Sequence, residues 1–202
     1  MFSTPFYSRF ILPLSMNSRF RLVSYEQAPA GVKAIYEETM REMGIPFVLN
    51  WFKCQGSNLQ LLEGNWAKLR STMLKGELPF ILKQLIIYNI SKNKGCHYCA
   101  HAHGVIVDSM SKTLTGRDDL RLTRHLDSDY VPAAYKTAIR IVTASALSPQ
   151  NTTDEDFEEL REEGFNETEI SELMALADLT NMLNTIADIS GIRIDNELME
   201  AV

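Results

Sequence analysis

A ten-residue stretch, Gly95-Cys96-His97-Tyr98-Cys99-Ala100-His101-Ala102-His103-Gly104, constrains what this chain can fold into. It holds two of the three cysteines and three of the four histidines. Before it, Phe80-Ile81-Leu82-Lys83-Gln84-Leu85-Ile86-Ile87-Tyr88-Asn89-Ile90 carries apolar side chains at helical spacing, and Val105-Ile106-Val107 resumes an apolar run after it. Asn93-Lys94-Gly95 between the two is a turn sequence. The stretch therefore reads as the first turns of a helix, running antiparallel to the helix before it. Cys96 and Cys99 are three apart, and Cys99 and His103 four apart, so the three side chains share one helical face.

The helical period recurs along the chain. Val32, Ile35, Tyr36, Thr39 and Met40 form one face of a helix begun near Pro29 and ended by Gly44-Ile45-Pro46. Residues 47–54 read as one or two helical turns, with Cys54 a small buried hydrophobe. Leu59, Leu62, Trp66, Leu69 and Met73 predict one long helix over 58–75, stopped by Gly76. Pro79 opens a helix to about Lys92, and the motif helix runs from Cys96 to about Met110. Residues 118–126 read as a short charged helix, with His125 solvated. Tyr135, Ile139, Val142 and Ala146 mark a helix from Pro132 to the break at Ser148-Pro149. Thr153 caps an acidic stretch, 154–163, whose charges read as a solvated face. Asn166 and Glu169 form a capping pattern ahead of a last long helix stopped by Gly191. No period-two pattern survives, so the fold class is all-α.

The chain's 202 residues suit one compact domain over 21–202, preceded by an N-terminal arm over 1–20. The apolar segment Phe10-Ile11-Leu12-Pro13-Leu14 in that arm is broken by proline and serine, whereas a secretory signal needs a longer unbroken run, so a signal peptide is the weaker alternative to an arm. No stretch reaches the roughly 20 apolar residues of a spanning helix. A net charge of −6 argues against a nucleic-acid partner, because phosphate binding needs a basic patch. Three cysteines are too few for a disulfide scaffold and fit a reducing, cytoplasmic setting. Apolar residues in the arm (Phe6, Phe10, Ile11 and Leu12) and in short helices (Phe47, Trp51 and Phe52) suggest a homo-oligomer.

The motif offers redox chemistry. Free amides at a helix N-terminus favour a thiolate, Lys92 and Lys94 add positive charge, and His103 can take the thiol proton. A reactive thiolate beside a second thiol suits attack on a peroxide or disulfide, followed by closure of an intramolecular disulfide. A structural zinc ion would need further ligands than Cys96, Cys99 and one histidine. Haem attachment needs a histidine directly after the second cysteine, where this chain has Ala100. His97 and His101 read as exposed polar residues. No cofactor is implied.

Gly95-Cys96-x-x-Cys99-x-x-x-His103 resembles the signature of the carboxymuconolactone decarboxylase family, in its alkyl hydroperoxidase D-like branch. Ser24-Tyr25-Glu26-Gln27-Ala28-Pro29 with Ile35-Tyr36, and Leu179-Thr180-Asn181 with Asn184, are similar to the opening and last long helix of the branch called peroxidase-related proteins. The resemblance covers roughly residues 24 to 195. It implies an all-α fold assembling into trimers or hexamers, and a thiol-dependent peroxidase or disulfide-exchange activity in antioxidant defence. Its substrate would be a hydroperoxide or disulfide, and an unidentified thiol reductant would restore the dithiol. The resemblance makes Cys99 the attacking thiol, Cys96 the resolving one and His103 part of the proton relay. The family places a glutamate twelve residues before the first cysteine; here that residue is Gln84. Gln84 lies roughly 12 Å back from the turn and His103 roughly 10 Å beyond it, so an antiparallel hairpin sets them at matching depth. An amide cannot accept a proton as a carboxylate does. Two other readings accompany this one: a non-catalytic oligomeric member with a weakened relay, and a decarboxylating lyase, an activity the family associates with members lacking the cysteine pair.

Overall fold

A computed structural model describes residues 18–199. Among these the chain is helical, with no strand. The elements are α1 (Ala30–Met43), α2 (Asn50–Lys53), α3 (Leu59–Leu69), α4 (Phe80–Lys94), α5 (His97–Ser109), α6 (Ser111–Thr115), α7 (Ala133–Leu147), α8 (Asp154–Glu162), α9 (Glu167–Ser190) and α10 (Asn196–Met199). Most of the proposed arm, residues 1–17 with Phe6, Phe10, Ile11 and Leu12, lies outside the described residues.

Helix α4 is the centre. Every residue from Ile81 to Ile87 is buried, because α5, α7 and α9 all pack on it. A helix enclosed on all sides is apolar all round, and α4 departs from that at only two positions in this run, Lys83 and Gln84. Helix α5 packs closest to α4. Gly95 turns the chain between them in the left-handed region (φ 73°), where a side chain would be strained. Gly104 lets the hairpin close: a Cβ there would meet the Tyr88 ring at 3.2 Å. On the far side, α9 is held at its start by the Asn166–Glu169 capping box and buries Leu173, Leu176, Leu179 and Leu183 against α4 and α7.

Three expectations change. The helix predicted over 58–75 is regular only to Leu69; Arg70–Leu74 forms a wide π-helical turn. Its apolar positions keep the 3.6 period, so no sequence pattern marks the change. The charged helix predicted over 118–126 is a bend followed by one 3₁₀ turn, Leu122–Arg124. Asp108 accepts from the Thr123 N–H and hydroxyl, and Ser111 Oγ accepts from the Leu122 N–H, so side chains rather than helical carbonyls satisfy this segment. Trp51 and Phe52 are not spare surface for an oligomer. They are 3% and 0% exposed in the chain's own core, where full burial of such side chains contributes about 1.5–3 kcal/mol each.

Candidate active site

The thiols sit where the α4–α5 hairpin turns. Cys96 is the N-cap residue of α5, and its N–H donates to Ser91 O at 3.0 Å, finishing α4. Cys99 follows in the first turn. Both thiols are free and buried, Cys96 at 0% exposure and Cys99 at 2%. Cys54 is elsewhere: its thiol donates to Trp51 O at 3.2 Å and accepts from Ser190 Oγ at 3.5 Å.

His103, one turn beyond Cys99, is buried against α4. Its Nδ1–H donates to Gln84 Oε1 at 2.6 Å, so the hairpin does bring these two side chains together. With Nδ1 holding the proton, Nε2 of the neutral ring keeps its lone pair. Burial lowers the His103 pKa to about 4, because an imidazolium there loses its hydration and Gln84 offers no charge in return. The Gln84 Nε2 group is buried without a hydrogen-bond partner.

The electrostatics differ from the sequence expectation of a low-pKa thiolate. The Cys99 thiol is held well above its usual range, first by its hydrogen bond with Cys96, then by burial. Lys92 and Lys94 do not offset this. Both are exposed, Lys92 over the Tyr88 ring at 5.8 Å and Lys94 donating to Asn181 Oδ1 at 2.5 Å. At rest the site therefore holds a protonated Cys99 thiol and a neutral imidazole. Cys99 and His103 border the same cavity, so the arrangement can let His103 take a thiol proton.

Cys99 and His103 open into a cavity of about 110 Å³. The other lining residues include Trp51, Phe52, Leu69, Met73, Leu183 and Leu198, so the walls are almost wholly apolar. Cavities of about 150 Å³ with aliphatic walls stay dry and hold a benzene-sized guest. Cys96 is not part of the lining. Among the described residues no three of His, Cys, Asp and Glu converge as metal ligands.

Several residues of this site carry no sequence signature. Tyr98, between the cysteines, donates its hydroxyl to Asp195 Oδ2 at 2.7 Å, and burial next to that carboxylate raises its pKa well above normal. His101 is half-buried rather than exposed, and its Nε2–H donates to Leu198 O at 3.2 Å. His97 is exposed, as its spacing suggested, and His125 lies outside the site.

Three solved structures overlay nearly the whole chain. One is the alkylhydroperoxidase AhpD core, an uncharacterized peroxidase-related protein from Ralstonia eutropha JMP134: TM-score 0.76, 24% identity, covering 90% of this chain and 94% of that one. Another is an uncharacterized peroxidase-related protein from Silicibacter sp. TM1040: TM-score 0.76, 21% identity, covering 93% and 97%. The third is the debrominase Bmp8 in complex with 2,3,4-tribromopyrrole: TM-score 0.75, 19% identity, covering 92% and 96%. The chain has the AhpD-like fold. No family model and no curated protein matches it. In this AhpD-like fold the described helices include none long and apolar enough to cross a membrane.

Proposed function

We propose that the chain is a thiol-dependent peroxidase or disulfide-exchange enzyme of the carboxymuconolactone decarboxylase family, in its alkyl hydroperoxidase D-like branch. One observation supports this reading most: Cys99 lines an apolar cavity together with His103, while Cys96, three residues before it, is outside the lining and donates its thiol to Asn184 O at 4.0 Å. That arrangement suits attack by Cys99 and resolution by Cys96. Cys99 transfers its proton towards His103 Nε2 and its sulfur takes the distal oxygen of a hydroperoxide, giving a sulfenic acid and releasing the alcohol. The Cys96 thiol then displaces water from the sulfenic acid, closing the disulfide. Two equivalents of an external thiol restore the dithiol. Gln84 positions His103 by accepting its Nδ1–H. The raised Cys99 pKa and the missing carboxylate make a slow catalyst at neutral pH.

Exposure of the protein to hydrogen peroxide or cumene hydroperoxide followed by mass mapping tests this. The expected product is a reversible Cys96–Cys99 disulfide with Cys54 still reduced. A main product containing Cys54, or no loss of free thiols, would sink the reading. The protein would act in a reducing, cytoplasmic setting as a homo-oligomer, a trimer or hexamer. Light scattering after size exclusion checks the assembly, and a clean monomer at micromolar concentration rules it out.

The apolar cavity supports a second reading. A small halogenated ring fits such walls, and the debrominase Bmp8 shares the fold. Here the dithiol would supply two electrons, a ring carbon–bromine bond would become carbon–hydrogen, and bromide, a proton and the Cys96–Cys99 disulfide would be the other products. Bromide release from a brominated pyrrole, absent in Cys99→Ser, separates this from the peroxidase.

A further inference from the structure

After α9 the chain turns back over the thiol site. Gly191, in the left-handed region at φ 63°, ends α9, and Ile192–Asp195 leads into the single turn of α10. Four hydrogen bonds tie this segment down. The Asn50 N–H donates to Asp195 Oδ1 at 2.8 Å and Asn50 Nδ2 donates to Arg193 O at 3.1 Å. Tyr98 donates to Asp195 Oδ2 and His101 to Leu198 O. Two of the four donors, Tyr98 and His101, flank Cys99 in the motif itself.

The segment also forms part of the cavity wall through Leu198. The opposite wall belongs to the core: Phe52, Leu69, Met73 and Leu183 are each 4% exposed or less. Helix α10 buries no side chain, and Leu198 is half-buried. Apolar packing thus fixes one side of the cavity and, through buried Ile192 and half-buried Ile194, the start of the segment, while the Leu198 end is held by polar ties at Asp195 and at Leu198 O. Segments with few buried apolar contacts open at the least cost in free energy.

We propose that Ile192–Met199 is a hinged cover over the Cys99 cavity, latched by Tyr98 and Asp195, and that Leu198 sets the size of molecule that reaches the thiol. Small molecules pass with the cover closed. Larger ones wait for the latch to open, so the apparent rate for them is reduced by the closed fraction. The inference concerns passage to Cys99 and does not depend on which electrophile the enzyme consumes.

The test uses the full chain and no turnover. Alkylation of Cys99 is followed by peptide mass mapping at fixed pH, with iodoacetamide as the small reagent and N-phenylmaleimide as the bulky one. The ratio of the two rates cancels any change in thiol pKa. In Leu198→Ala and in Tyr98→Phe the bulky-to-small ratio rises about tenfold, the effect of losing roughly one hydrogen bond or one wall. Asp195→Ala, which loses both ties, raises it further. Amide exchange over 192–199 accelerates in Tyr98→Phe while exchange in α9 does not. Leu198→Ala and Tyr98→Phe are the milder changes, and they decide if Asp195→Ala fails to fold. A wild-type ratio in both, with helical circular dichroism intact, overturns the proposal. So does faster exchange over 192–199 without a change in ratio, which would make the segment mobile but not a cover.

Discussion

Lys83 and Gln84 are neighbours on α4, both buried, and they are treated in opposite ways. Lys83 has three donors and three partners: Thr72 O at 3.0 Å, Lys75 O, and the Glu172 carboxylate at 3.0 Å. Glu172 also accepts from the N–H groups of Glu77 and Leu78 at 2.7 and 3.2 Å. Every polar group in that cluster is satisfied, and the cluster joins α4, α9 and the turn after α3. Gln84 faces the other way, towards α5. Its carbonyl holds His103 and its amide nitrogen has no partner. The Lys83 cluster is a frame, whereas Gln84 belongs to the candidate site. Most buried polar groups are paired, because an unpaired one costs about 1–3 kcal/mol; among the described residues Trp66 Nε1 and Asn184 Nδ2 share the exception with Gln84 Nε2.

The largest expected break in this comparison is Lys83→Met. It leaves the Glu172 carboxylate without its cation, and the folded state should lose about 3 kcal/mol in urea unfolding. Glu172 keeps two N–H donors and is partly reached by water, which places the loss at the low end for such pairs. A loss below about 1 kcal/mol would mean the cluster is no frame at all.

Acid probes the Gln84 side. His103 has a folded pKa of about 4 against an ordinary 6.5, so the unfolded chain binds its proton first as pH falls. Stability from this group is complete above pH 6.5 and declines as pH descends towards 4, by up to about 3 kcal/mol. In His103→Leu this part of the acid slope should vanish. An unchanged slope would mean that His103 does not stay neutral in the fold.

The smallest effect sharpens the comparison most. Gln84→Glu sets a carboxylate against Nδ1, which raises the His103 pKa and strengthens it as a base. The new charge also disfavours the Cys99 thiolate, but His103 lies nearer to it. Reaction of Cys99 with peroxide should accelerate about tenfold, the lower part of what a general base contributes. Gln84→Leu, which leaves Nδ1–H without an acceptor, should react more slowly than wild type. If the glutamate variant folds and reacts no faster, Gln84 is not standing in a relay position.

Much of this was legible from the chain. The helical period placed α1, α3, α4, α7 and α9, because each buries a stripe and local spacing records it. Asn166 with Glu169 announced the start of α9, because a cap is a local contract between residues three apart. The contact of Gln84 with His103 followed from equal depth on two antiparallel helices. What stayed hidden depends on residues distant in sequence. Asp195 reaches Tyr98 across 97 positions, and Lys83 meets Glu172 only once α4 and α9 pack. The high pKa of Cys99 was equally invisible: the motif puts thiols at a helix N-terminus, but only the fold shows how deeply they are buried.

The wide turn at Arg70–Leu74 has a further meaning for how this chain tolerates change in length. Its hydrogen bonds close over five residues instead of four, so the chain carries surplus length there for the rise it achieves. In a regular helix one inserted or lost residue rotates everything beyond it by about 100°, scattering the buried face. Here the surplus ends at Lys75 in extended backbone, and Lys83 holds the freed carbonyls of Thr72 and Lys75. Loss of a single residue from this turn would be taken up as a tighter helix, leaving Leu69 in place. Among related chains, gaps in alignment are expected at this turn rather than in α4 or α5, where each residue's angle is committed.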